Sequence, residues 1–383
     1  MSVINKEKLN KVLNDRLDYN VKEHRTAGSE ILVMQYGEPL CHITKGYKNA
    51  VAKIPLKPNM LYRLCSMTKP ITGLAALIAV ERGWFNLEDK VKDYLPEWAD
   101  MDVAVLRDGK PIIDHKAASD LLIYQMLSHC NGILAETDLG HAIFDDAPRS
   151  AFESIEGMLK YACKKPLAFD PGTYTAYTGY TSFDVVAHII EIKSGIKYSE
   201  FLDKNIFEPL GIRNITFHPT EDQWSNLVCL HDRTDAKTLV SVDMGKSTFE
   251  GFGSDYECAG ASLIGNMEDY AKIAELLRCN GTYNGVTIVS PEMIAEMKKP
   301  RVPDGIPGRE PNDSWGLGVR VKVHEDWLPE GIFGWSGAYG THFWVDQKNG
   351  ITAILLRNMY RFDTGGAGQM GIEFEKDVMS CLE

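Results

Sequence analysis

A hydroxyl and an amine three residues apart, Ser66 and Lys69, stand in the run Leu64-Cys65-Ser66-Met67-Thr68-Lys69-Pro70. A serine hydroxyl attacks a carbonyl carbon only when a nearby base takes its proton. On a helix, residues i and i+3 share a face, so Lys69 is within reach of the Ser66 oxygen. At a helix N-terminus, the dipole and the free N–H groups also favour developing negative charge. The same S-x-x-K spacing recurs at Ser194 and Lys197, but Gly195 falls inside that match, which reads as a helix-ending turn. No G-x-S-x-G elbow, H-E-x-x-H helix, G-x-x-x-x-G-K-[ST] loop or H-x-H cluster occurs. Lipase-like, zinc-protease and phosphate-loop chemistry therefore have no support in the sequence.

The elements around Ser66 follow from periodicity. Residues 66–82 carry Leu74, Leu77, Ile78 and several alanines as one apolar stripe. Pro70 falls in the first turn, where a missing N–H is tolerated, and Gly83 follows as a C-cap. This predicts a helix with Ser66 at its mouth. Leu9, Val12, Leu13 and Leu17 predict an amphipathic opening helix over residues 6–24. Residues 30–36 and 41–47 read as a hairpin split by Gly37-Glu38-Pro39. Helical patterns over 121–128, 182–194, 267–279 and 292–297 dominate the middle of the chain. Strand-like runs follow over 316–323, 340–345 and 350–357, with a tight turn at 346–350 and a last helix over 369–382.

That order predicts an α+β fold, with an antiparallel sheet flanked by helices and a mostly helical lobe. Residues 1–88 and 301–383 are expected to form the sheet lobe and residues 89–300 the helical lobe, with the active site between them.

Ordered landmarks then carry a resemblance. The run LCSMTKPIT before an apolar helix resembles the nucleophile motif of class C β-lactamases, related penicillin-binding proteins and the β-lactamase-like (family VIII) carboxylesterases. Leu127-Ser128-His129-Cys130-Asn131-Gly132 resembles their L-[ST]-H-x-S-G-[LI] turn. Phe169-Asp170-Pro171-Gly172-Thr173 resembles the F-x-P-G-T segment that introduces a catalytic tyrosine, here Tyr177. Residues 257–277 resemble the glycine-rich turn and the helix after it, and Gly334-Trp335-Ser336-Gly337-Ala338 stands where the K-T-G or H-T-G strand would be.

The resemblance spans residues 30–360 and implies the DD-peptidase/β-lactamase-like fold. It also implies Ser66 as nucleophile, Lys69 and Tyr177 as a coupled acid/base pair, and the backbone N–H groups of Ser66 and Ala338 as oxyanion hole. Trp335, Ser336, Gly337, Tyr339 and Gly179 are the expected substrate-binding residues. The L-[ST]-H turn is structural in this family, so His129 is expected to be structural too. Several aromatic residues (Tyr174, Tyr180, Phe343 and Trp344 among them) are candidates for an acyl pocket. Phe343 and Trp344 are adjacent on one strand, so at most one of them can face it.

Two departures from the family pattern decide the expected substrate. Tyr177-Thr178-Gly179 replaces Y-x-N, removing the amide that binds the acylamide side chain of the antibiotic. Trp335 replaces the lysine or histidine that helps hold the β-lactam carboxylate, and an indole offers one N–H donor without charge. The W-x-G form resembles the carboxylesterase branch, where neutral esters are cleaved, so hydrolysis of small carboxylic esters through a Ser66 acyl-enzyme is expected, with a small-molecule ester or amide as the partner. Arg357 or Arg361 is a candidate to restore an anion site. The alternatives are β-lactamase or D-amino-acid peptidase action, acyl transfer, and a non-catalytic penicillin-binding-like protein.

Composition narrows the partners. Lys and Arg total 41 against 53 Asp and Glu, a net charge of −12, which repels nucleic acid and anionic membrane surfaces. No signal-like N-terminus and no run of about 18 apolar residues occurs, so a cytoplasmic, non-membrane protein is expected. The eight cysteines are scattered without a C-x-x-C pair and read as reduced thiols, and no metal or cofactor is implied.

Overall fold

In a computed structural model, which describes residues 2–235, 237–360, 363 and 368–383, the first and last parts of the chain build one sheet. Gly28–Gln35 (β1) and Glu38–Asn49 (β2) are joined by Tyr36 and Gly37, both at positive φ (52° and 86°). Such a two-residue turn matches the twist of the strands it joins. The hairpin therefore turns at Tyr36-Gly37, and Glu38 and Pro39, expected in the turn, already belong to β2. Ile54–Pro55 (β3) ends the sheet on that side.

Five strands from the end of the chain complete it: Asp313–Trp315 (β4), Arg320–Lys322 (β5), Phe333–Ser336 (β6), His342–Asp346 (β7) and Ile351–Leu356 (β8). The order is β4-β5-β6-β7-β8-β1-β2-β3, antiparallel at every junction. The two chain segments join where Glu30 pairs with Leu356 and Gln35 with Ile351.

Strand alternation sends side chains to two separate cores. On one face Ile31, Val33, Trp344, Ala353 and Leu355 pack against the opening helix Lys6–Lys22 (α1), through Leu9, Leu13 and Leu17. The last helix, Gly368–Met379 (α6), adds Phe374 and Val378 to the same cluster. On the other face Leu32, Phe343, Ile354 and Leu356 join the larger core. That core contains helix Lys69–Glu81 (α2), Ile123–Leu127 (α3), Thr181–Ser194 (α4) and Met267–Arg278 (α5). Tyr270 of α5 meets Phe343 edge-on at 5.1 Å. Helix α2 is apolar almost all round, and Lys69 to Ala79 are all buried, which marks it as the central helix of this core.

The strand expected over 316–323 is shorter than its pattern. Residues 316–319 form a turn that lies on α2, and only Arg320–Lys322 pair in the sheet. Leu317 N donates to Met297 O and Gly318 N to Leu127 O, so this backbone is held by helices and not by strands. Its approach requires Gly73, where a Cβ would stand 2.3 Å from Leu317 O. The strand expected from Gly340 begins at His342, because Gly340 sits at φ 88° inside the turn.

Residues 89–300 also hold more strand than their helical pattern indicates. Asp102–Arg107 and Lys110–Lys116 form a hairpin, and Leu230–Asp235 and Thr238–Val242 form another that pairs with Met359–Tyr360. Lys110–Lys116 is exposed throughout, so no buried face marks it in the sequence. Among the described residues no helix is long and apolar enough to cross a membrane.

Gly73→Ala should drive a methyl group into the Leu317 carbonyl and destabilise the protein by about 1–3 kcal/mol, the usual range for overpacking. Urea unfolding measures this, and a change below about 0.5 kcal/mol would contradict the close approach.

Candidate active site

Ser66 lies in a 3-10 turn, Cys65–Thr68, that runs straight into α2. Cys65 enters it at φ 50°, an uncommon conformation for a side chain other than glycine. Three contacts hold the turn in place. Thr341 Oγ1 donates to Leu64 O at 2.9 Å, Tyr270 Oη to Met67 O at 2.9 Å, and Leu263 N to Thr68 Oγ1 at 3.2 Å. The serine opens onto a cleft of about 620 Å³.

Lys69 is fully buried, and its amine faces three oxygens. It lies 3.2 Å from Ser66 Oγ and 2.9 Å from Gly260 O, and it also donates to Gly179 O. Gly260 can come this close because it has no Cβ, which would stand 2.6 Å from Tyr180 Cα. Burial lowers the Lys69 amine to about 8, against the pull of Cys258, Glu136 and Asp184. Two carbonyls engage two N–H groups, and the third corner of the nitrogen points at Ser66. When the amine is neutral, that corner is a lone pair.

The glycine-rich segment behind Lys69 is anchored by Asp184 of α4. Its carboxylate accepts Ala259 N at 2.8 Å and the Tyr256 hydroxyl, and burial raises it to about 7. Tyr177 closes the other side of the serine. Its hydroxyl donates to Ser66 Oγ at 2.7 Å and accepts the Trp335 indole N–H at 3.2 Å. Burial pushes the phenol up, against the two hydrogen bonds. A lowered amine and a raised phenol both favour the uncharged pair.

His129 holds the tyrosine segment in place. Its Nδ1 accepts Thr178 N at 3.0 Å, and its carbonyl accepts Ala176 N and Thr175 Oγ1. Burial, then Lys69, keep the ring well below the usual histidine range, so it stands as a neutral acceptor.

The expected site residues do not all converge. Ser66, Lys69, Tyr177 and Trp335 are in contact, and Ser336, Gly337 and Ala338 line the same cleft. Gly179 contributes its carbonyl to Lys69, and the space beside its Cα, where a Cβ would point, faces Glu136 Oε1 at 3.5 Å. Tyr339, expected at the substrate, is instead buried against Phe249, stacked at 5.4 Å, because the turn after Ser336 swings it behind the strand. Phe343 and Trp344 do face opposite ways, but both are core residues. Tyr180 likewise packs on Phe252. Arg357 is fully buried, with its guanidinium on Asp363, and does not line the cleft; Arg361 lies outside the described residues.

Sequence reasoning missed Glu136, Trp315, His342 and Glu375. Trp315 meets His129 and Trp335 edge-on, at 4.2 and 4.4 Å. Strand alternation carries a signal for His342, which stands opposite Ser336 across a short turn. Glu375 comes from the last helix and has no local signal. Among the described residues no group of three His, Cys, Asp or Glu is arranged to hold a metal ion.

A helix-borne serine and lysine, a facing tyrosine and a strand along the cleft define the site of the β-lactamase and penicillin-binding protein fold. Residues 13–366 match the Beta-lactamase family, and the chain belongs to it, as a serine hydrolase of that superfamily. Esterase EstB of Burkholderia gladioli is 27% identical over 370 residues, which cover 89% of this chain and 88% of that protein. The structure is similar to that of EstCE1, a hydrolase with promiscuous acyltransferase activity, with a TM-score of 0.79 and 23% identity over 98% of both chains. A family VIII carboxylesterase superposes with a TM-score of 0.75 at 18% identity, over 98% of this chain and 97% of that one.

If the Lys69 amine is the base at Ser66, its shift predicts a pH dependence. Below its value of about 8 the amine is protonated and cannot take the Ser66 proton. The rate of acylation should therefore rise about tenfold per pH unit towards 8 and level off above it. Stopped-flow acylation from pH 5.5 to 9.5 measures this, and a rate that falls through pH 8 would exclude the neutral amine as base.

Proposed function

We propose that the protein is an esterase that cleaves small carboxylic esters lacking a carboxylate, through an acyl-enzyme on Ser66. Neutral Lys69 takes the Ser66 proton as Oγ attacks the carbonyl carbon. The N–H groups of Ser66 and Ala338 receive the oxyanion. The proton passes from Lys69 through the Tyr177 hydroxyl to the departing alkoxide, so the alcohol leaves neutral. Water then attacks the acyl-enzyme, giving its proton to the same pair, and Ser66 Oγ leaves as a hydroxyl.

The observation that carries this reading is Trp335. An indole bonded to Tyr177 stands where the penicillin-recognising branch has a cation. The two guanidinium groups in the cleft do not replace that cation, since Arg309 is paired with Asp304 and Arg320 with Glu375 at 2.7 Å. The acidic groups Glu136 and Glu310 border the same space and disfavour a carboxylate there. EstB, named an esterase, lends further support. Transfer of the acyl group to an acceptor other than water uses the same intermediate, and EstCE1 is described as a hydrolase with promiscuous acyltransferase activity.

Hydrolysis of p-nitrophenyl acetate and butyrate, measured beside nitrocefin, tests the proposal. The esters should be cleaved, nitrocefin should turn over at least about 100-fold more slowly, and Ser66→Ala should lower ester cleavage ~10⁴-fold or more. Nitrocefin turnover equal to ester turnover, or full activity in Ser66→Ala, would refute it.

A further inference from the structure

A second hydrogen-bonded chain stands in the wall of the cleft. Ser336 Oγ lies 2.8 Å from His342 Nδ1, and His342 Nε2 lies 3.0 Å from Glu375 Oε1. The pair Ser336 and His342 is a direct cross-strand pair of β6 and β7, and Glu375 reaches it from α6. Glu375 and His342 are buried, and Ser336 is 4% exposed, where it lines the cleft.

The hydrogen positions follow from the partners of Glu375. Arg320 Nη2 donates to Oε1 at 2.7 Å and Trp327 Nε1 to Oε2 at 2.7 Å. Guanidinium and indole groups are donors only, so both oxygens must accept and the carboxylate is ionised. Its partners hold it down at about 2, against desolvation. While the imidazole is neutral, an ionised Glu375 can only accept from it, which puts the ring proton on Nε2 and leaves a lone pair on Nδ1. The Ser336 hydroxyl must then give its proton to Nδ1. What it presents to the cleft is lone pairs alone.

We propose that Ser336, oriented by His342 and Glu375, is an acceptor subsite that selects esters carrying a hydroxyl or amine N–H donor beside the scissile bond. A carboxylate or ether oxygen placed there would meet lone pairs with lone pairs. A donor group completes the chain from substrate to Ser336, His342 and Glu375. Ser336 ends two residues before Ala338, whose backbone N–H belongs to the proposed oxyanion hole, so a donor held by Ser336 lies near the reacting carbonyl. The acidic groups Glu136 and Glu310 on the same cleft favour the amine form further. The inference rests on the esterase reading for its substrates, and binding without turnover separates the two.

The test uses Ser66→Ala protein and calorimetry with 2-hydroxyethyl, 2-aminoethyl and 2-methoxyethyl butyrate, together with ethyl 3-hydroxybutyrate, 3-aminobutyrate and 3-methoxybutyrate. In at least one of the two series, a donor-bearing ester should bind ~10-fold more tightly than its methoxy counterpart, the discrimination of one hydrogen bond. Adding Ser336→Ala should bring that ratio to within threefold of unity, and Ser336→Thr should keep it. His342→Leu frees the serine proton and should also erase it. Equal binding of donor and methoxy esters, or a preference that survives Ser336→Ala, would overturn the proposal. A phosphonate label on Ser336 in the unsubstituted protein would overturn it too, by making that serine a nucleophile. Failure of p-nitrophenyl butyrate hydrolysis alone would overturn the esterase reading and leave the binding ratios to judge this one.

Discussion

The buried amine of Lys69 is the constraint around which the site is built. An ammonium group taken wholly out of water is costly unless its hydrogens find partners, and here two backbone carbonyls accept from it. Those carbonyls come from separate segments, at Gly179 and Gly260, so the tyrosine loop and the glycine-rich loop must both close on α2. Asp184 ties the second loop to α4, and His129 ties the first to the turn after α3. Burial, against the pull of the thiol and carboxylates around it, lowers the amine to about 8, which suits it to act as a base near neutral pH. Structure and chemistry here have one cause. The same packing that makes the charged form costly prepares the neutral form.

The strand Phe333–Ser336 determines what can approach that base. Its tryptophan contributes one N–H, directed at Tyr177, and its serine hydroxyl is engaged by His342 Nδ1. Neither side chain offers a cation to a carboxylate. The wall is held by the sheet itself, since β6 lies between β5, which carries Arg320, and β7, which carries His342. The proposed preference for esters without a carboxylate thus rests on strand register as well as on residue type.

The sequence makes much of this legible where the signal is local. The S-x-x-K turn, the helix behind it and the strand runs over residues 340–345 and 350–357 are readable, because each follows from spacing within a few residues. The Ser194 match is separated from the Ser66 match in the same way: Gly195 takes φ 72° and ends its helix. Contacts between distant segments are not legible. Residues 316–319 alternate like a strand but lie on α2, since a glycine there and another at residue 73 allow backbone to meet backbone. Tyr339 directly follows a recognisable motif, yet a tight turn puts its ring behind the strand. Glu375 lies far along the chain from both Ser336 and Ser66, and only the docking of the last helix brings it to the site. The directions in which Lys69 and Tyr177 shift are equally hidden, because burial sets them and burial is a property of the whole fold.

The most direct test of the account is a crystal structure of the protein inhibited by an alkyl phosphonate ester. The account predicts one adduct, on Ser66, with the phosphoryl oxygen within hydrogen-bond distance of both Ser66 N and Ala338 N. Lys69 Nζ should remain on the carbonyls of Gly179 and Gly260. An adduct on any other side chain, or a phosphoryl oxygen turned away from those two amides, would contradict it.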